Sequence, residues 1–200
     1  SFGILNAVSF NTAKLLGGLC DGGAVTTDSR ELYEKICLLR NHWNVHQLSV
    51  DRNDYPQPEE IGWGWKSRLS NVNAAFLNVK FDHIGFILER RARIAQGYNK
   101  AFADLPIGLP VEQLGRSWQE YHLRVPEREK FSAFLTENGI ETLTRDTTPN
   151  HLMKGLGLDH FSLPVTERLA REVIRLPLYE WLSDEEVVYV IAKVREFYGK

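Results

Sequence analysis

Cysteine is scarce in this chain: Cys20 and Cys37 are the only two in 200 residues, and neither falls in a CxxC or Cys/His spacing. That excludes a disulfide framework or a zinc cluster as the organising feature, and reduced thiols and no bound metal are expected. An excess of charge of one sign is also missing. Lys and Arg number 24 against 26 Asp and Glu, for a net charge of −2, so no basic field exists to gather nucleic acid or an anionic membrane. Long apolar runs are absent too. A stretch such as Ala74–Leu77 falls far short of the roughly 20 residues needed to cross a bilayer. The N-terminus shows no charged-then-apolar export signal, and the expected compartment is the cytoplasm. Internal repeats and low-complexity tracts do not occur.

What remains is the composition of a globular protein, 43% hydrophobic and 25% charged. Asn6-Ala7-Val8-Ser9-Phe10 has the apolar and β-branched character of a buried strand, and Gly22-Gly23 leads into a second strand at Ala24-Val25-Thr26-Thr27. Asp28 with Glu31 reads as a capping box before a helical stripe of Leu32, Ile36 and Leu39. Between His42 and Trp65 the periodicity is lost, with prolines at 56 and 58 and tryptophans at 43, 63 and 65, a pattern of interface or ligand pocket as much as of core. From Ser70, apolar residues at Val72, Phe76, Val79, Phe86, Ile94, Tyr98, Ala101 and Leu105 predict one long helix, or two broken near His83–Gly85. Strands at Tyr121–Val125 and Ile140–Thr144 flank a helix over 127–138 that Gly139 closes, and Ser183 with Glu186 caps a terminal helix. The class is α/β in two lobes, dividing within residues 80–105.

The chemistry-bearing candidate is the loop after the first strand. A lysine there, Lys14, among apolar neighbours would be poorly solvated, and a lowered pKa is what a Schiff-base lysine requires. Ser9 could donate to a phosphate, and Gly17, Gly18, Gly22 and Gly23 would let backbone N–H groups approach an anion. On these residues alone a solvated loop lysine and a serine bonded to local backbone stay open.

The order of motifs narrows the choice. Ser9-Phe10-x-x-x-Lys14 followed by a Gly-rich turn, Asp21-Gly22-Gly23 and Ala24-Val25-Thr26-Thr27 resembles the lysine motif of the DegT/StrS sugar aminotransferases. Gly64–Ala75, Glu89–Tyr98, Gly139–Thr142, Pro149-x-His151, Leu163-Pro164-x-Thr166-Glu167 and Leu176-Pro177-Leu178 resemble further motifs of that family, in its order. The resemblance implies a pyridoxal-phosphate enzyme of fold type I, the C-terminal part of an aspartate-aminotransferase-like fold. Residues 1–85 would be the end of the large cofactor domain and 86–200 the small C-terminal α/β domain.

By the same resemblance Lys14 is the Schiff-base lysine and acid/base catalyst, and Ser9 a phosphate ligand. Lys66 and Arg68 lie on a loop that a partner subunit inserts into the active site, which implies a homodimer. Arg145 and His151 fall where substrate contacts are expected. The substrates implied are an amino-acid donor such as glutamate and a nucleotide-linked keto sugar. Departures from the pattern are Lys66 for an asparagine, Arg145-Asp146 for a His-Tyr pair and Trp43 for a glycine. The family's carboxylate for the pyridinium nitrogen, its stacking aromatic and its phosphate-binding turn all lie upstream of the lysine, so these 200 residues alone are expected not to transaminate. A sugar dehydratase of the same fold is disfavoured because those relatives carry histidine at the lysine. A non-catalytic dimerising or regulatory paralogue is the reading from another class.

Overall fold

The computed structural model describes residues 3–42, 62–145 and 147–200. Trp43, Pro56, Pro58 and Asp146 lie outside them. The chain divides into two compact units, Ser1–Ile84 and Gly85–Lys200.

In the first unit, β1 (Asn6–Ser9) and β2 (Gly23–Thr26) pair antiparallel with Asn6 opposite Thr26 and Ser9 opposite Gly23. The ribbon is two-stranded and mostly exposed, so the expected burial of the first strand is not found: Val8 and Val25 are each about half exposed within this chain. Helix α1 (Arg30–Leu39) is capped by Ser29, whose hydroxyl accepts the Leu32 N–H at 3.3 Å. The predicted Asp28/Glu31 box is thereby displaced by one residue. Serine caps as well as aspartate, and with Ser29 in that role the return position is Leu32, which has no carboxylate.

Helix α2 (Asn71–Asp82) starts from the Ser70 cap, and α3 (Ile84–Phe102) follows after His83. Of the two readings, one long helix or two broken near His83–Gly85, the second is found. The predicted stripe on α2 is rotated, however, because Val72 and Val79 are exposed and the residues turned inward are Asn73 and Leu77.

The second unit has the dense core. Antiparallel β3 (Tyr121–Arg124) and β4 (Val173–Leu176) place Tyr121 opposite Leu176 and Leu123 opposite Ile174, all four buried on one face. Against that face pack Ile94, Tyr98 and Phe102 of α3, Phe131 and Leu135 of α4 (Arg128–Glu137), and Val190 and Val194 of α6 (Asp184–Phe197). Spacings of three and four residues give each helix one apolar stripe. Gly139, at φ 73°, ends α4 as the sequence predicts, in the left-handed conformation that glycine adopts without steric cost. The capping box of α6 is complete: Ser183 Oγ accepts the Glu186 N–H at 3.1 Å, and Glu186 Oε2 accepts the Ser183 N–H at 2.8 Å.

Residues 140–144 contribute a single bridge, Leu143 to Arg175, where a strand is predicted. Thr142 is held instead by Ser132 of α4 through a 2.8 Å hydroxyl pair, which draws the segment off the sheet edge. The Arg90, Arg91, Arg93 run is not the solvated face its charge suggests. Only Arg93 is, paired with Glu89 at 3.0 Å. Arg91 bonds Glu180 and the carbonyls of Gln119 and Leu178, and Arg90 bonds Asp184 and the Leu182 carbonyl. Both act as staples between α3 and the segment that enters α6.

Candidate functional sites in the two units

Lys14 sits on the loop joining β1 to β2, on a scaffold of backbone and amide bonds. The Asn11 side chain accepts the Ala13 N–H at 3.0 Å and donates to Asp21 Oδ1 at 2.6 Å, while the Asn11 carbonyl accepts the Lys14 N–H at 2.9 Å. Phe10 N–H to the Gly22 carbonyl (2.8 Å) and Gly18 N–H to the Phe10 carbonyl (2.9 Å) close the loop at its base. On α2, Asn73 accepts the Leu19 N–H at 2.8 Å and donates to the Cys20 carbonyl at 3.2 Å, and Lys80 Nζ reaches the Gly17 carbonyl at 3.4 Å.

Two expectations for this loop need correction. Lys14 is exposed, not shielded by apolar neighbours, because the ribbon beneath it is two-stranded and open to solvent within this chain. Gly18 and Leu19 do not present an N–H cradle: the Gly18 N–H is bonded to the Phe10 carbonyl and the Leu19 N–H to Asn73 on α2, and the glycines allow close packing. A Cβ on Gly17 would stand 2.5 Å from the Thr12 carbonyl oxygen, and one on Gly18 2.3 Å from Asn73 Oδ1. Asn73 falls within the Gly64–Ala75 segment that resembles a family motif, but nothing in the sequence marked its side chain as a partner of the glycine loop.

Ser9 Oγ accepts the Asn11 N–H at 3.3 Å, an acceptor role that leaves its hydroxyl proton available. The Lys14 amine makes no hydrogen bond or ion pair among the described residues. Those two groups fit the demands of a phosphorylated aldehyde cofactor, which needs an uncommitted amine and a hydroxyl donor. Lys66 and Arg68 are exposed on a segment tied to the end of α1 by Trp65 N–H to the Leu39 carbonyl and Ser67 N–H to the Arg40 carbonyl, each 2.8 Å. Trp63 and Trp65 are exposed beside them, outside any core in this chain.

The second unit carries a cleft of about 860 Å³ on the outer face of β3 and β4. His122 and Arg175 floor it, Arg145 and His151 stand on its wall, and Phe161 and Leu169 make its apolar side. Glu120 bridges the floor, 2.6 Å from Arg175 and 3.2 Å from His122. Burial, with the Arg175 charge, lowers the His122 pKa and favours its neutral form. Arg145 is exposed. His151 has the partner that the sequence did not reveal: Nε2 lies 3.1 Å from Glu167 Oε1, with the ring 4% exposed. Hydrogen bonding from His151 holds the Glu167 carboxyl below its ordinary pKa. Among the described residues no cluster of His, Cys, Asp or Glu could hold a metal, and no helix is long and apolar enough to cross a membrane.

An exposed lysine on a pinned glycine loop in the first unit, and a second unit of helices packed on a β-ribbon, describe the chain, and comparison defines the family. The DegT/DnrJ/EryC1/StrS aminotransferase family model matches residues 1–195, and the chain belongs to that family. It is 37% identical over 199 residues to the erythromycin biosynthesis sensory transduction protein EryC1 of Saccharopolyspora erythraea, covering 94% of this chain and 50% of that protein. It is 34% identical over 197 residues to the dTDP-3-amino-3,4,6-trideoxy-alpha-D-glucose transaminase of Streptomyces venezuelae, covering 96% and 49%.

The S. venezuelae DesV crystal structure, in complex with a ketimine intermediate, superposes with a TM-score of 0.85 at 33% identity, over 99% of this chain and 53% of that one. The fold is thus that of part of an aspartate-aminotransferase-like, fold type I protein. The chain spans about half the length of the curated relatives it matches.

Proposed function

We propose that the protein carrying this chain is a pyridoxal-phosphate-dependent aminotransferase that moves an amino group from an amino acid such as glutamate to a nucleotide-linked keto sugar. The observation that carries the reading is Lys14, an uncommitted amine on a braced loop, set within motifs that match the family from end to end. The transaminase names of relatives support the substrate class.

Pyridoxal phosphate, when bound, supplies an electron sink for charge left on the donor's α-carbon. Lys14 Nζ would hold it, and the same amine would take the donor's α-proton and return it as acid. The Ser9 hydroxyl would donate to the cofactor's phosphate. Arg145, exposed on the cleft wall, offers a guanidinium to an anionic substrate group, while His151 braces that wall through Glu167. Lys66 and Arg68 are assigned to the partner's site in a homodimer, with Lys66 meeting phosphate as a point charge. The protein works in the cytoplasm.

Borohydride reduction of the natural polypeptide with pyridoxal phosphate, followed by peptide mapping, tests this. The expected result is one pyridoxyl group on the peptide containing Lys14, and at least a roughly 100-fold loss of amino transfer in Lys14→Ala. A reduced adduct elsewhere, or none, overturns the reading. Absence of any adduct would favour the non-catalytic regulatory alternative, a role that the sensory-transduction name of the EryC1 relative keeps in view.

A further inference from the structure

A glycine-rich backbone holds its shape poorly by itself, because glycine has the most conformational freedom to lose. The loop that carries Lys14 is nevertheless fixed from one buried side chain on the neighbouring helix. Asn73 lies in the first turn of α2, 1% exposed, with its N–H bonded to the Ser70 cap at 3.2 Å. Its carboxamide meets two successive loop residues, accepting from the Leu19 N–H at 2.8 Å and donating to the Cys20 carbonyl at 3.2 Å.

From this contact a short rigid path leads to Lys14. Gly18 packs on the carboxamide so closely that a Cβ would stand 2.3 Å from Oδ1. The Gly18 N–H is bonded to the Phe10 carbonyl at 2.9 Å, and Gly17 packs so tightly that its own Cβ would stand 2.9 Å from the Lys14 carbonyl oxygen.

We infer that Asn73 is a positioning residue for Lys14: its carboxamide clamps the Leu19–Cys20 backbone and thereby sets where the Lys14 amine stands. The inference rests on the proposed role of Lys14. Aspartate keeps the acceptor for Leu19 but sets an anion against the Cys20 carbonyl, and alanine leaves the Leu19 N–H without its acceptor. Placement matters because a covalent bond at Nζ depends on geometry, and an error of about 1 Å costs on the order of 100-fold in rate.

The test uses the natural polypeptide in wild-type, Asn73→Asp and Gly18→Ala forms, the last disturbing the same contact from the loop side. Hydrogen–deuterium exchange over residues 11–22 of the cofactor-free protein reads the clamp. The rate of borohydride-fixed coupling of pyridoxal phosphate to Lys14, and the pH midpoint of the bound cofactor's visible band, read the position of the amine. Both variants are expected to speed exchange over 11–22, to slow coupling by about 10- to 100-fold and to shift the midpoint, with exchange in the second unit unchanged.

A variant whose thermal stability falls, but whose coupling rate per folded molecule and midpoint stay as in wild type, overturns the inference by showing a merely structural role. A wild-type protein that fixes no pyridoxal phosphate on Lys14 overturns the proposed function, and the assignment of Asn73 to that chemistry with it. Normal wild-type coupling left unchanged by Asn73→Asp overturns the assignment alone.

Discussion

The two units of this chain are held by different means. In Gly85–Lys200 a continuous set of buried apolar residues, from Ile94 on α3 to Val194 on α6, encloses one face of the β3–β4 ribbon. In Ser1–Ile84 the buried hydrophobic residues among those described are Leu38 and Leu77, and the other inward positions include Asn41 and Asn73. The second unit is stabilised mainly by burial, which is non-directional and tolerant of detail. The first relies on directional bonds between loop backbone and side-chain amides, each contributing little to stability but fixing geometry closely. The candidate chemistry of Lys14 therefore sits on the part of the chain whose shape depends on individual hydrogen bonds, while Arg145 and its cleft are built on the well-packed part.

The strongest way to break this contrast is to open the core of the second unit. Phe131 is fully buried and touches the Phe197 ring edge-on at 5.2 Å. Phe131→Ala is expected to cost about 3–5 kcal/mol through lost burial and the cavity left behind. Denaturant unfolding followed by exchange protection of α3, α4 and α6 measures it. A cost below about 1 kcal/mol would mean that the core relaxes freely and that the contrast between the units is overstated.

Acid separates the units in a second way. Glu167 has a folded pKa held below its ordinary value, chiefly by the hydrogen bond from His151. A depressed carboxyl contributes stability that is present above the ordinary value, near 4.3, and is lost as pH falls through the lower folded value. The wall of the cleft between Pro149 and Glu167 is thus expected to loosen on acidification below about pH 4, and hydrogen exchange of that segment follows it. Glu167→Gln should be less stable than wild type at neutral pH and should converge with it in acid. Parallel curves for the two proteins across that window would show that the His151 contact contributes nothing.

What was legible in the sequence follows the same division. Periodic apolar residues pointed to α3 and α6, which owe their place to a buried stripe, but left open whether one long helix or two, broken near His83–Gly85, ran on from Ser70. On α2 the same rule pointed to Val72 and Val79, yet Asn73 and Leu77 face inward, since the tie from α2 to the glycine loop is polar and has no periodic signature. Motif order proposed Lys14 and Ser9 as site residues, but it could not give their environment: an apolar strand reads as buried whether or not anything covers it. His151 looked solitary because Glu167 lies 16 positions away, brought back only by the turn into α5 (Pro164–Glu172). Arg90 and Arg91 have partners far along the chain, the carboxylates of Asp184 and Glu180 and the carbonyls of Leu182, Gln119 and Leu178, which no local pattern in the sequence marks.

The gentlest probe sharpens the comparison from the other side. Val72 is 71% exposed on α2, and serine has nearly the same helix propensity as valine. In the chain as it stands, Val72→Ser should therefore change stability by no more than about 0.5 kcal/mol. The same substitution in the natural polypeptide asks whether that face stays in water there. A fully buried valine would be worth about 1.5–3 kcal/mol, which is well outside the first range. A small loss by thermal or denaturant unfolding keeps the first unit as a bond-held scaffold with an open helix face. A loss near the larger figure would mean that α2 packs against another surface of the protein, and that the Asn73 clamp works from a helix braced on both sides.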